Sequence, residues 1–108
     1  MIRVKSGPTG CRLGGIRPEA VVAIMLAGEV YEANGLDLVW TAALDSKHMP
    51  GSLHYVGLAI DVGLPPEDRK PTIEKELRSA LGEDYDLVVE GDHWHIEFQP
   101  KRGINLAN

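Results

Sequence analysis

All four histidines of this sequence fall in two short segments. His48 and His54 lie in SKHMPGSLHYVGLAID, and His93 and His95 lie in EGDHWHIEF. Zinc prefers imidazole nitrogen and carboxylate oxygen as ligands, and a catalytic zinc is held by three protein ligands with its fourth position left to water. His54, Asp61 and His95 could supply such a set, so the sequence predicts one zinc site.

The first of these segments must bend if its ligands are to meet at one ion. The alternation of apolar and other residues over 58–62 predicts a strand with Asp61 opposite the aliphatic side chains, facing outward into a cleft. A straight strand would separate His54 from Asp61 by roughly 23 Å. Gly57 lies between them and permits the backbone angles that a bend requires.

The second segment is predicted to lie in a β-hairpin. Residues 85–89 and 93–98 have strand character and are joined by Glu90-Gly91-Asp92. Strand side chains alternate, so His93, His95 and Glu97 share one face, and the other face carries Trp94, Ile96 and Phe98. Glu97 is either a partner for a ligand histidine or a solvated strand residue, and the solvated interpretation is favoured.

The remaining elements predict the fold class. A helix is predicted from Pro18 to about Asn34, with apolar residues at helical spacing: Val21, Ile24, Met25, Gly28 and Tyr31. A strand is predicted over 36–41 and a second helix from Ile73 to Leu81, ending at Gly82. Helix and strands followed by helix and hairpin predict an α+β fold, with a small antiparallel sheet and two main helices.

Length and composition set the limits on other classes of function. The 108 residues fit a single domain, 1–108, and the net charge of −5 argues against a partner with a phosphate backbone. No apolar run of about 18 residues is present, so we expect no membrane insertion. The single Cys11 cannot form an internal disulfide. As a separate expectation, the protein is a monomer.

The histidine-containing segments resemble a known family of enzymes. The pattern SxHxxGxAxD, present here from Ser52 to Asp61, is followed by HxH at His93 to His95. This resembles the zinc peptidases that include D-alanyl-D-alanine carboxypeptidases, D-Ala-D-Ala dipeptidases and phage L-alanyl-D-glutamate endolysins. Within that superfamily the motifs are most similar to the hedgehog N-terminal signalling domain and its bacterial relatives. The resemblance extends from Thr41 to Phe98 and implies a hedgehog/DD-peptidase-like fold.

The resemblance implies a role for each matching residue. Its zinc ligands are His54, Asp61 and His95. In the hedgehog pattern a glutamate that closes the preceding strand contacts the zinc-bound water, and Glu90 matches it if the turn here is one residue shorter. The carboxypeptidases instead have an acidic residue three positions before the last ligand, which is Asp92 here. Two candidates for the catalytic base therefore remain, with Glu90 preferred.

Three further residues match positions of the family motifs, and Tyr55 is a candidate for contact with substrate. His48 and His93 correspond to histidines that polarise the substrate carbonyl or stabilise its oxyanion. Ser52 matches a motif serine with a supporting hydrogen bond. Tyr55 lies close enough to His54 in sequence to touch substrate.

The resemblance implies a zinc metallopeptidase that cleaves peptides of bacterial peptidoglycan, as a carboxypeptidase or an endopeptidase on stems containing D-amino acids. The alternative is a zinc-stabilised binding module without peptidase activity. An acidic residue at 90 or 92 favours the enzyme, whereas Ala43-Leu44-Asp45 replaces an arginine of the peptidases and favours the module. The opening MIRVKSGPTG is unlike a secretion signal, so we expect synthesis in the cytoplasm and action on the cell wall after release.

Overall fold

The computed structural model of the protein describes residues 1–5, 16–42 and 58–100. In these ranges the chain is α+β, as predicted, with two helices packed on a five-stranded mixed sheet of order β1-β2-β3-β5-β4. The strands are β1 (Ile2–Val4), β2 (Leu38–Ala42), β3 (Ala59–Val62), β4 (Tyr85–Val89) and β5 (Trp94–Phe98). The helices are α1 (Pro18–Ala33) and α2 (Lys70–Leu81), the latter preceded by a 3₁₀ turn at Glu67–Arg69. Neither helix of the described ranges has the length and apolar character needed to cross a membrane.

The prediction of an antiparallel sheet is wrong at one edge, because β1 runs parallel to β2. The Leu38 N–H donates to the Met1 carbonyl at 2.9 Å, and the Lys5 N–H donates to the Trp40 carbonyl at 3.0 Å. The other pairs, β2–β3, β3–β5 and β4–β5, are antiparallel. A strand of three exposed residues is too short to show a period of two, so β1 was not foreseen. Parallel neighbours need a crossover, and α1 lies between these two in the chain.

Helix α1 begins and ends as predicted, with Pro18 in its first turn and Asn34 at its C-cap, followed by Gly35 at φ +73°. Its buried face differs from the predicted one. The buried residues recur at helical spacing and are mostly small: Ala20, Ala23, Ile24, Ala27, Gly28 and Tyr31. Val21 and Met25 are instead exposed. These small side chains let α1 approach the sheet closely. At Gly28 the helix lies so near β1 that an added Cβ would be 2.7 Å from Ile2 Cδ1.

The core lies between the helices and one face of the sheet. Helix α1 crosses β2, β3 and β5, and α2 packs beside it and against β4. The sheet contributes side chains from each of its four longer strands: Leu38, Trp40, Ile60, Val62, Leu87, Trp94 and Ile96. Because strand side chains alternate, burying Ile60 and Ile96 toward the helices leaves their neighbours Asp61 and His95 on the opposite face.

The predicted hairpin is confirmed. Strands β4 and β5 pair antiparallel, and the Glu90 N–H donates to the His93 carbonyl at 3.1 Å to close the turn. At the open end, the rings of Tyr85 and Phe98 meet edge to face with centroids 5.4 Å apart. The hairpin thus places Glu90, Asp92 and His93 together at one end of the sheet.

Candidate metal centre

The pairing of β3 with β5 brings two of the three predicted ligands together. Asp61 lies directly opposite His95 in the antiparallel register, so their side chains project from the same face. His95 Nδ1 donates a hydrogen bond to Asp61 Oδ1 at 2.9 Å. This contact joins residues that are 34 positions apart in the sequence.

Asp61 lies on the predicted face of its strand, opposite the aliphatic side chains, and it is almost fully buried there. Only 6% of the residue is exposed. Strand β3 is an interior strand, flanked by β2 and β5, and all four of its residues are buried. A buried carboxylate is costly unless it is paired or hydrogen-bonded, and two histidines lie within ion-pair distance of Asp61.

His93 forms the second half of the cluster. Its Nε2 lies 3.6 Å from Asp61 Oδ2 and 3.3 Å from Glu90 Oε2. Its Nδ1 donates to Asp92 Oδ1 at 2.6 Å. The two oxygens of Asp61 therefore each approach a different histidine, and the side chain links His93 to His95.

The two candidate bases occupy different positions around the His93 ring. Glu90 approaches Nε2, the nitrogen that also approaches Asp61, and its side chain is 45% exposed. Asp92 contacts Nδ1, and its side chain is 91% exposed. Glu90 therefore shares the Asp61 side of His93 and remains reachable from solvent, whereas Asp92 lies at the outer side of the ring.

Glu97 lies two residues beyond His95 on the same face of β5. Its Oε2 is 3.8 Å from His95 Nε2, and the two side chains are only 18% and 16% exposed. The sequence favoured the interpretation of Glu97 as a solvated strand residue. Its burial beside His95 instead supports the other interpretation, in which Glu97 is a partner of that histidine.

The electrostatics of the cluster act most clearly on His95. Burial lowers the pKa of this imidazole, because the charged form is poorly solvated there. The hydrogen bond to Asp61 and the negative charges of Asp61, Glu97 and Glu90 outweigh burial, so the pKa of His95 lies above its ordinary value. The carboxylates around this ring thus favour its positively charged form.

The donor chemistry of this cluster fits zinc. A buried carboxylate and an imidazole nitrogen meet at 2.9 Å, and the proton between them would be lost on metal binding, since ligands bind deprotonated. Within residues 1–5, 16–42 and 58–100, no three His, Cys, Asp or Glu side chains are arranged to hold a metal ion. The third predicted ligand, His54, lies outside the described residues, as do His48, Ser52 and Tyr55 and the bend predicted at Gly57.

Sequence reasoning did not foresee the contact of Asp92 with His93, nor that Asp61 would link both histidines. The contact of Asp92 with His93 could have been inferred from the sequence, because the two residues are adjacent in the chain. The second depends on the pairing of β3 with β5, which no local pattern in the sequence specifies.

Comparison with known proteins adds no relative. The sequence matches no protein-family model, and searches of curated proteins and of solved structures find no match. Inference about function therefore depends on the side chains of this chain.

Proposed function

We propose that the protein is a zinc-dependent metallopeptidase with a hedgehog/DD-peptidase-like fold. Its substrates are peptides of bacterial peptidoglycan, cleaved by carboxypeptidase or endopeptidase action on stems that contain D-amino acids. Its place of action is the cell wall, after release from the cytoplasm. The zinc ligands are His54, Asp61 and His95.

The observation that carries the proposal is the contact between Asp61 Oδ1 and His95 Nδ1 on neighbouring strands. Asp61 is buried, so the two donor atoms are held by the sheet rather than by mobile surface groups. His93 lies beside this pair, with its Nε2 3.6 Å from Asp61 Oδ2, and Glu90 Oε2 lies 3.3 Å from the same nitrogen. The cluster thus combines two donor atoms of the types that zinc prefers with a second imidazole and a carboxylate that can act as a base. A hydrolytic zinc site uses groups of these kinds.

The side chains of the cluster have distinct roles in peptide hydrolysis. Zinc, when bound, supplies a Lewis acid and lowers the pKa of water in the site to about 7. Glu90 accepts the proton of the attacking water as its oxygen bonds to the carbonyl carbon, and delivers that proton to the nitrogen of the leaving amine as the C–N bond breaks. His93, held by Asp92, donates a hydrogen bond to the developing oxyanion, and so does His48.

The second candidate function is a zinc-stabilised binding module. It is favoured by Ala43-Leu44-Asp45, which stands where the peptidases carry an arginine. In this case the same ligands hold zinc, and the cleft binds a peptide without cleaving it.

The deciding experiment measures zinc and turnover on the same preparation. Zinc-replete protein is incubated with purified peptidoglycan fragments, and the products are identified by mass spectrometry. We expect one zinc per chain and fragments that have each gained one water, with chelator abolishing turnover. The cleaved bond identifies the carboxypeptidase or endopeptidase class.

Variants of the ligands provide the control. His95→Ala and Asp61→Asn should each lose zinc. Asp86→Asn should retain it, because Asp86 lies on the same face of the sheet but two positions along β4 from Val88, the residue opposite His95. Zinc binding without cleavage of any peptidoglycan fragment favours the binding module. A His95→Ala variant that keeps tightly bound zinc contradicts both functions.

A further inference from the structure

Both nitrogens of the His95 ring approach a carboxylate. Nδ1 contacts Asp61 Oδ1 at 2.9 Å, and Nε2 lies 3.8 Å from Glu97 Oε2. An imidazole can offer one nitrogen to a metal only when its proton is on the other. The group beside the second nitrogen therefore decides how well the first one binds.

The sheet holds Glu97 in this position. His95 and Glu97 are two residues apart on β5, so they share a face, and the antiparallel register sets Asp61 opposite the first and Ala59 opposite the second. On its other side Glu97 faces Asp86 of β4.

Glu97 and His95 interact electrostatically across 3.8 Å, which is longer than a hydrogen bond, and burial strengthens that attraction. The two side chains are 18% and 16% exposed, so water screens the carboxylate and the ring only weakly. A carboxylate in such surroundings favours a proton on the nitrogen that faces it. Metal-ligating histidines commonly donate their other N–H to a carboxylate, which orients the ring and raises its basicity.

We propose that Glu97 is a positioning residue for His95: when zinc displaces the proton that Nδ1 donates to Asp61, Glu97 keeps the remaining ring proton on Nε2, so that Nδ1 binds zinc together with Asp61. The inference rests on the proposed zinc site and assigns to it a residue outside the ligand set. Glu97 touches neither the metal nor the substrate, so it acts through the orientation and tautomer of His95.

The test measures zinc affinity rather than turnover. Wild type, Glu97→Leu, Glu97→Gln and Asp86→Asn are compared by competition with a chromophoric chelator. Glu97→Leu should weaken zinc binding by about 10- to 100-fold, the usual effect of losing such a partner. Glu97→Gln keeps an acceptor oxygen without the charge and should fall between wild type and Glu97→Leu. Asp86→Asn removes a charge from the same face at the position opposite Glu97 and keeps the Glu97 carboxylate, so it should change the affinity by less than about threefold.

A second readout separates positioning from folding. In zinc-loaded wild type, the ring-nitrogen chemical shifts of His95 should report a proton on Nε2 and none on Nδ1. Metal-free Glu97→Gln should unfold within a few degrees of metal-free wild type. Affinities within twofold of wild type for both Glu97 variants overturn the inference, as does an equal loss in Asp86→Asn, while the zinc site itself stands if His95→Ala still loses the metal. Retention of zinc by His95→Ala overturns the inference and the proposed site together.

Discussion

At the scale of single residues, each carboxylate of the cluster occupies a different position around the histidines. Asp61 is buried between two imidazoles, Glu90 lies on the Asp61 side of His93, and Asp92 lies on its outer side. These positions follow from which nitrogen of His93 each carboxylate contacts. They make Glu90 the stronger candidate for a proton acceptor near the metal ligands.

Replacing Glu90 with Gln should abolish most of the proposed peptidase activity. The variant keeps the shape of the side chain but removes the proton acceptor, so kcat should fall by about 10²-fold or more. Zinc content should be unchanged, because Glu90 is not a ligand in the proposed site. Turnover of a wall peptide at matched zinc occupancy measures the effect.

Asp92→Asn is the matched control for this prediction. The amide oxygen can still accept the hydrogen bond from His93 Nδ1, so the loss should be much smaller than for Glu90→Gln. An inactive Asp92→Asn beside a nearly normal Glu90→Gln would transfer the role of base to Asp92.

At the scale of elements, the end of α2 requires glycine. Gly82 is the C-cap and has φ +76° and ψ −171°, a conformation that is essentially restricted to glycine. No atom lies within 4 Å of the Cβ that alanine would add there, so the effect of a substitution is one of backbone strain alone. Gly82→Ala should therefore lower the free energy of unfolding by about 1–3 kcal/mol, measured by urea denaturation.

Gly91, in the turn of the hairpin, is the control for this effect. It is equally open, with nothing within 4 Å of an added Cβ, and its φ is not positive. Gly91→Ala should change the free energy of unfolding by less than about 0.5 kcal/mol. Equal effects of the two substitutions would show that strain at Gly82 is not the cause.

Helix α1 is joined to the sheet by a buried phenol. Tyr31 donates a hydrogen bond to the Gly63 carbonyl, just beyond β3, at 2.9 Å, and burial raises the pKa of its hydroxyl. The folded state therefore keeps this proton at a pH where the unfolded chain releases it. Its contribution to stability is complete below about pH 10, the pKa of an unperturbed tyrosine, and is lost as the pH rises from there toward the raised pKa of the folded state.

We therefore expect the free energy of unfolding to fall by about 1.4 kcal/mol per pH unit above pH 10 on account of Tyr31. The pKa of Tyr85 is also raised, chiefly by burial, so the total slope in wild type should be steeper than this. In Tyr31→Phe, the free energy of unfolding should fall less steeply with pH, by about the 1.4 kcal/mol per pH unit that one proton contributes. Denaturation at several pH values between 9 and 11 tests this, and parallel slopes for the two proteins would contradict it.

At the scale of the whole molecule, zinc should contribute to folding. A chain of 108 residues has a small core, and a metal that binds only the native state adds its binding free energy to stability. Free zinc at about 1,000 times its Kd adds about 4 kcal/mol, and each kcal/mol corresponds to about 4–8 °C in a domain of this size. Chelation should therefore lower Tm by about 15 °C or more in differential scanning calorimetry.

The variant Asp61→Asn provides the comparison for this measurement. It lacks one proposed ligand, so its Tm should be nearly independent of chelator. An unchanged melting curve in wild type after zinc has demonstrably been removed would contradict the expected coupling.

Local patterns in the sequence determined the parts of this fold that depend on neighbouring residues. Helix α1 begins at Pro18 and ends just before Asn34-Gly35. The hairpin follows from two alternating segments joined by a polar turn. The same alternation predicted that His93, His95 and Glu97 share a face. These features could be predicted because backbone angles and side-chain periodicity are set within a few residues.

Only the tertiary structure decided the features that depend on distant residues. The parallel pairing of β1 with β2, the burial of the alanine face of α1 and the burial of Asp61 each require a partner far away in the chain. The contact between Asp61 and His95 joins positions 34 residues apart, and it selects which nitrogen and which oxygen meet. The residue types of the candidate site are thus apparent in the sequence, while their geometry arises from strand pairing, whose register a local pattern does not contain.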